Sequence, residues 1–283
     1  MVGMAMLAAG FGFKIASVPF QMWVPDVYEG APTPVTAFLS VASKGAGFAV
    51  ILRVFFIVFG WSTDMSSSWG ILFAVLSALS MTAGNIIAIS QGNIKRMMGY
   101  SSIAQAGYLL VGLAAVGLAG PKESPGISSI LFFLASYTAT NLAAFIAIIA
   151  ISNRINSDNI TDYSGMVKRA PLLAACLALS MISLIGLPPA AGFVAKVYIF
   201  NSAVQQGLVW LVIIGVINSV ISAYYYLRIV KVMFMGTAPT EDKVASTPPL
   251  SFALALTSLA ILFIGVAPIF LLEVVRAAVN ILS

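Results

Sequence analysis

The sequence predicts an all-α polytopic membrane protein with about eight transmembrane segments, two of them discontinuous. Three observations carry that class. The 283 residues are 60% hydrophobic and 8% charged, with a mean hydropathy of +1.04, whereas a soluble domain carries about 25% charged residues. Apolar runs of bilayer length, ~20 residues each, recur along the whole chain. Two of those runs are interrupted by proline and glycine in mid-segment.

The segments run over 3–22, 35–59, 69–90, 98–119, 127–151, 172–203, 207–234 and 249–275. In the first, Pro19 and Pro25 interrupt, and a polar stretch from Asp26 to Pro34 follows. The second holds Lys44 among small residues, Ser40, Ser43, Gly45 and Gly47, which permit close helix packing. In the sixth, Gly186-Leu187-Pro188-Pro189-Ala190-Ala191-Gly192 sits in mid-segment. Proline removes a backbone donor and clashes with the preceding turn. The carbonyls it frees are tolerated at bilayer depth only inside protein or along a wet cavity. The third, fourth, fifth, seventh and eighth segments read as plain spans.

Loop charges set an orientation. Lys95-Arg96 follow the third segment, Arg154, Lys168 and Arg169 the fifth, and Lys231 and Lys243 the seventh; the alternate loops hold Asp64 alone, then Lys122 with Glu123. The positive-inside rule places the basic set in the cytoplasm. The net charge of +5 is thereby topological, and nucleic acid is not expected as a partner. With no histidine and the single Cys176 in an apolar run, iron–sulfur, haem and zinc sites lack their ligands. Gly10-Phe11-Gly12 lacks the rest of a dinucleotide fingerprint. Met1-Val2-Gly3 opens directly in apolar sequence with no basic leader region, so the chain reads as starting in the middle of something longer.

Lys14, Lys44 and Lys196 are the candidate functional residues. Each is a lone ammonium inside an apolar segment, where a charge costs roughly 2.5–3.5 kcal/mol on insertion scales. Such residues persist mainly along ion or proton paths. Burial and a neighbouring acid move an ammonium's proton affinity in opposite directions, so lysines held between the two can act as relay sites. The acids Asp26, Glu29 and Glu273 lie at breaks or helix ends, and a carboxylate partner in the membrane must come from elsewhere. Gly10-Phe11-Gly12-Phe13-Lys14 and Gly192-Phe193-Val194-Ala195-Lys196 share the pattern G-F-x-x-K, an internal echo that suggests a duplicated transporter. The other polar residues read blandly. Arg53, Arg228 and Lys231 snorkel from helix ends, Asn85, Asn141 and Asn218 bond helix to helix, and the run Tyr224–Tyr226 packs. The Asn159-Ile160-Thr161 sequon falls on the cytoplasmic side.

Longer motifs point to a family. The stretch from Phe13 to Pro34, FKIASVPFQMWVPDVYEGAPTP, resembles the signature of subunit N of bacterial NADH–quinone oxidoreductase (complex I). So do Asn93-Ile94-Lys95-Arg96 leading to Tyr100-Ser101-Ser102-Ile103-Ala104-Gln105-Ala106-Gly107-Tyr108, and Gly186-Leu187-Pro188-Pro189 through Lys196. The resemblance implies part of an inverted-repeat antiporter-like fold in the membrane arm of that complex. Lysines on the first broken helix, the next helix and the second broken helix form the family's proton path, and they fall on Lys14, Lys44 and Lys196. Gly45 after Lys44 departs slightly from the family pattern. Residues 1–59 would then end the first repeat, 60–234 form the second with its break around 186–192, and 235–283 hold a C-terminal transmembrane helix.

The family carries further helices ahead of Lys14, one bearing the glutamate that partners it. This chain therefore resembles the C-terminal part of the subunit. The implied setting is a multi-pass protein of a bacterial inner membrane, with the lipid bilayer and other membrane-arm subunits as partners. No cofactor is expected on this chain: NADH, FMN, iron–sulfur clusters and quinone belong to other subunits. A Mrp-type cation/proton antiporter subunit and a truncated, non-pumping piece are the alternatives.

Overall fold

Helix α1 (Val2–Ile15) and helix α2 (Trp23–Gly30) are the two halves of the first broken segment. They come from a computed structural model that describes residues 2–59, 63–119, 125–238, 240 and 242–279. Helix α3 (Thr33–Phe38) passes through a π-helical turn, Leu39–Ser43, into α4 (Lys44–Leu52) and a second π-turn, Arg53–Val58. The long helices α5 (Thr63–Ile89), α6 (Ile94–Ala119) and α7 (Pro125–Ile155) follow. A short α8 (Met166–Arg169) leads to α9 (Pro171–Ile185) and α10 (Ala191–Gln205), the halves of the second broken segment. The chain continues through α11 (Val209–Met235), α12 (Pro248–Val266) and α13 (Ile269–Val279).

Among the described residues six helices are long and apolar enough to cross a membrane: Thr33–Phe56, Met65–Ile89, Ile94–Ala119, Gly126–Ile155, Val209–Met235 and Pro248–Val266. With the two broken segments they make up the eight expected spans. The stretch 249–275 differs from expectation, because it is two helices rather than one. Pro268 has no N–H, and the residue before a proline is pushed out of helical geometry. Ala267 accordingly adopts φ −124°, ψ 63°, and α13 leaves in a new direction with Leu272 and Val275 buried.

Helix α6 is the axis of the bundle: 89% of its most apolar stretch is buried, against 17% for α12 at the periphery. Small residues let α5 lie directly on α6. A Cβ at Gly84 would come within 2.7 Å of the Ala104 nitrogen, and Ser66 and Ser77 donate to the carbonyls of Gly117 and Gly107, each at 2.7 Å. Large apolar side chains such as Met6, Phe38, Val220, Leu259 and Val274 point outward, the surface a bilayer accepts and water does not.

The mid-span amides bond helix to helix, as expected. Asn85 Nδ2 donates to Asn218 Oδ1 at 3.2 Å, and Asn141 Nδ2 to Ser40 Oγ at 2.6 Å. The tyrosine run does more than pack. Tyr225 donates to Asn85 Oδ1 at 2.8 Å, and the Tyr226 and Ser101 hydroxyls are 2.5 Å apart; only Tyr224 faces outward. At the start of α6, Arg96 holds Asp26 and Glu29 of α2, at 2.6 and 2.8 Å, while Lys95 pairs with Asp158 at 3.1 Å. These basic residues are tied into the fold. Lys122, Glu123 and the side chain of Asp64 lie outside the described residues.

Candidate functional site

The second break builds a cage for Lys196. Helix α9 ends at Ile185, and Gly186 follows with φ +89°, a left-handed conformation that costs a side-chain-bearing residue roughly 1–2 kcal/mol. Leu187 then carries the chain into Pro188-Pro189, a cis peptide, before α10 begins at Ala191. The termination strands the last two carbonyls of α9, and each finds a polar side chain. Gln105 Nε2 donates to Leu184 O at 3.2 Å, and Lys196 Nζ to Ile185 O at 2.8 Å. A helix C-terminus carries partial negative charge, so it is a natural seat for an ammonium. Lys196 also donates to Ser219 Oγ at 3.0 Å and lies 4.3 Å from the ring centroid of Tyr108. Its side chain is 5% exposed.

Gly186 serves this cage in a second way. A Cβ there would lie 2.8 Å from Lys196 Cδ, so the lysine stem crosses the break where a side chain is missing.

Lys44 sits where a π-turn gives way to α4, and it is 4% exposed. Its Nζ donates to Ser102 O and, at 2.6 Å, to Ser102 Oγ. Ser102 is a hub: its hydroxyl is 3.2 Å from Tyr28 OH and accepts from Tyr137 OH at 3.3 Å. The Tyr137 ring lies 5.5 Å from the ammonium. Among the described residues no carboxylate pairs with Lys44 or Lys196.

Between the two cages lies a small cavity of about 10 Å³. It is lined by Gln105, Tyr137, Thr140, Ser183, Lys196 and apolar neighbours. Tyr137 thus borders both the cavity and Lys44. Thr140 and Ser183 are joined across it at 2.9 Å. On its other side Lys196 borders a wider pocket with mostly apolar walls, among them Leu187, Phe193, Val197 and Phe200.

Lys14 is not brought into this system. It lies in the last turn of α1 and is exposed, where a mid-helix, desolvated position was expected. No hydrogen bond or ion pair reaches it among the described residues. The G-F-x-x-K echo also fails as a structural equivalence: Lys14 precedes its break, whereas Lys196 follows its own.

Ser102, Gln105, Tyr108, Tyr137 and Ser219 had no role assigned from sequence. A signal was present for three of them. Ser101, Gln105 and Tyr108 recur at helical spacing on one face of an otherwise apolar span, with Ser102 beside them. Nothing comparable marks Ser219 or Tyr137.

Residues 1–222 match the family described as NADH:quinone oxidoreductase/Mrp antiporter, TM. NADH-quinone oxidoreductase subunit N of Dehalococcoides mccartyi is 47% identical over 281 residues, which is 99% of this chain and 58% of that relative. The chain therefore spans little more than half the length of its relative. A chain of respiratory complex I from Thermus thermophilus superposes with a TM-score of 0.81 at 31% identity, over 96% of this chain and 58% of the other. A chain of the Mrp complex from Dietzia shares the fold, with a TM-score of 0.85 at 22% identity over 97% of this chain and 58% of its own. The chain belongs to the NADH:quinone oxidoreductase/Mrp antiporter transmembrane family.

Proposed function

We propose that this chain is a proton-translocating membrane-arm subunit of an NADH:quinone oxidoreductase. It sits in a bacterial inner membrane beside other membrane-arm subunits. It moves protons through Lys44 and Lys196 while quinone is reduced elsewhere in the complex. NADH, FMN, the iron–sulfur clusters and quinone bind other subunits. The observation that carries the reading is the pair of buried ammoniums, each with only neutral partners: Lys196 lines the small cavity, and Lys44 lies 5.5 Å from the ring of Tyr137 on that cavity's wall. At about 10 Å³ the cavity has room for about one water, which Gln105, Tyr137, Thr140 and Ser183 can hydrogen-bond. A proton leaving Lys196 Nζ for that water leaves a neutral amine, which accepts the next proton from its other side, so each transfer restores the starting species.

Lys14 joins the path where a carboxylate from a preceding segment stands against it. The breaks at 16–22 and 186–190 belong to successive inverted repeats, divided near 59 and ending near 234.

Lys196→Ala in the intact complex is expected to lower NADH-driven proton pumping at least about tenfold, and Arg53→Ala, an exposed position, to leave it unchanged. Normal pumping by an assembled Lys196→Ala complex would contradict the relay. The family description also covers Mrp antiporters, which motivates a second reading as a cation/proton antiporter subunit. Sodium-dependent proton movement without NADH would favour it.

A further inference from the structure

We propose that α12 and α13 form a strap that fixes the angle of the second break, with Gly265 as a positioning residue for Lys196. The inference rests on the relay reading of Lys196. It concerns a region beyond the family match, which ends at residue 222.

The break is poorly held by its own backbone. Pro188 and Pro189 contribute no N–H. Its local hydrogen bonds run from Gly186 to Ile182 and Ser183, from Leu187 to Ile182, and from Ala190 to Leu187. Packing must supply what the ladder lacks: Gly192 N donates to Ser183 Oγ across the break at 3.1 Å, and α7, α11 and α12 each touch both α9 and α10. The α12 contact is backbone to backbone. A Cβ at Gly265 would lie 1.9 Å from Pro189 O, 2.8 Å from Pro189 C and 2.7 Å from Ala190 C. All three are main-chain atoms, so no side-chain rotation relieves the clash. Glycine alone lets α12 rest on the break at this distance.

The second end of the strap reaches the same helix. The turn at Ala267 and Pro268 follows directly on the Gly265 contact. It sends α13 back across α7, where Arg276 Nη2 approaches Tyr198 OH of α10 at 3.4 Å. Tyr198 in turn stacks on Phe132 of α7, with ring centroids 5.6 Å apart.

Lever geometry explains why the angle matters. Lys196 is seven residues beyond Pro189, about 10 Å along a helix. A tilt of α10 by about 5° at the break displaces the lysine backbone by about 1 Å, and displacements of that size at a reacting group carry large kinetic penalties. The 2.8 Å bond to Ile185 O, on the far side of the hinge, is the first to be lost.

The test is backbone hydrogen–deuterium exchange of the intact complex carrying Gly265→Ala, with Leu259→Ala on the exposed face of α12 as control. We expect the amides of Gly186, Leu187 and Ala190 to exchange about tenfold faster in Gly265→Ala alone, with α5 and α6 unchanged. The proton-to-electron ratio should fall towards that of Lys196→Ala while electron transfer and subunit content are retained. Unchanged exchange at the break in an assembled Gly265→Ala complex overturns the strap. If that variant does not assemble, Ile261→Ala, at a fully buried position one turn earlier, must loosen the break in the same localised way; unchanged exchange there overturns the proposal equally. Normal pumping by Lys196→Ala removes the relay reading instead, and the exchange data still decide whether the strap exists.

Discussion

Helices α1 and α9 end on one pattern. Ile15 and Ile185 are the last helical residues, Ala16 and Gly186 follow in the left-handed region at φ +63° and +89°, and a cis proline comes three residues later, at Pro19 and Pro189. Beyond that point the two breaks diverge. In the second, the stranded carbonyls receive Gln105 and Lys196. In the first, Phe13 O receives Trp23 Nε1 at 3.0 Å and Val18 N donates to Ser80 Oγ at 2.9 Å, while the buried Ser17 Oγ and Gln21 Oε1 have no partner among the described residues and Lys14 stays exposed. The same backbone device thus serves a closed cage at one end of the chain and an open one at the other. What separates them is where the lysine sits. After the break, its stem must cross the left-handed residue, which is therefore glycine. Before the break it does not, and alanine is tolerated at the cost of an unfavourable φ.

Gly186→Ala strikes the closed cage hardest, since it forces a Cβ to within 2.8 Å of Lys196 Cδ. We expect pumping to fall at least about tenfold, close to the loss in Lys196→Ala, and a proton-to-electron ratio near normal would separate the glycine from the lysine. Ser102→Ala should do less. It removes the hydroxyl shared by Lys44, Tyr28 and Tyr137 but leaves Ser102 O in place, so a loss of about 1–3 kcal/mol in stability and a partial fall in pumping are expected from melting and transport assays. Ala16→Gly relieves the first break and should raise stability by about 0.5–1 kcal/mol, read as a higher melting temperature. Lys14→Ala should change the stability of this chain by no more than about 0.5 kcal/mol, since none of the described residues holds its ammonium. A larger drop would mean that a partner for Lys14 lies within the chain.

Sequence showed the spans, both breaks and the burial of Lys44 and Lys196, because bilayer-length apolar runs, mid-segment prolines and lone charges are strong one-dimensional signals. It misled on the echo, because G-F-x-x-K compares letters without asking which side of the break they fall on. The shared I-[A/G]-x-x-P termination is the equivalence that geometry supports. The cages were only partly visible. Ser102 and Gln105 gain their roles from elements distant in sequence, such as Lys44 and the end of α9, and no local pattern encodes those meetings. The turn at Pro268 was legible in principle, since a proline inside an apolar run breaks it just as Pro19 does.

A relay requires protons to pass between the lysines, and Ala195 stands beside that passage. This residue lines the cavity and is 1% exposed, yet it belongs to neither cage. Proton-to-electron ratios should be measured for assembled complexes carrying Ala195→Val, which fills the cavity with apolar volume, and Ala195→Ser, which keeps it small and polar. We expect Ala195→Val to lose most of its pumping and Ala195→Ser to retain it. Equal and normal pumping by both would mean that protons do not pass between Lys44 and Lys196 through this cavity.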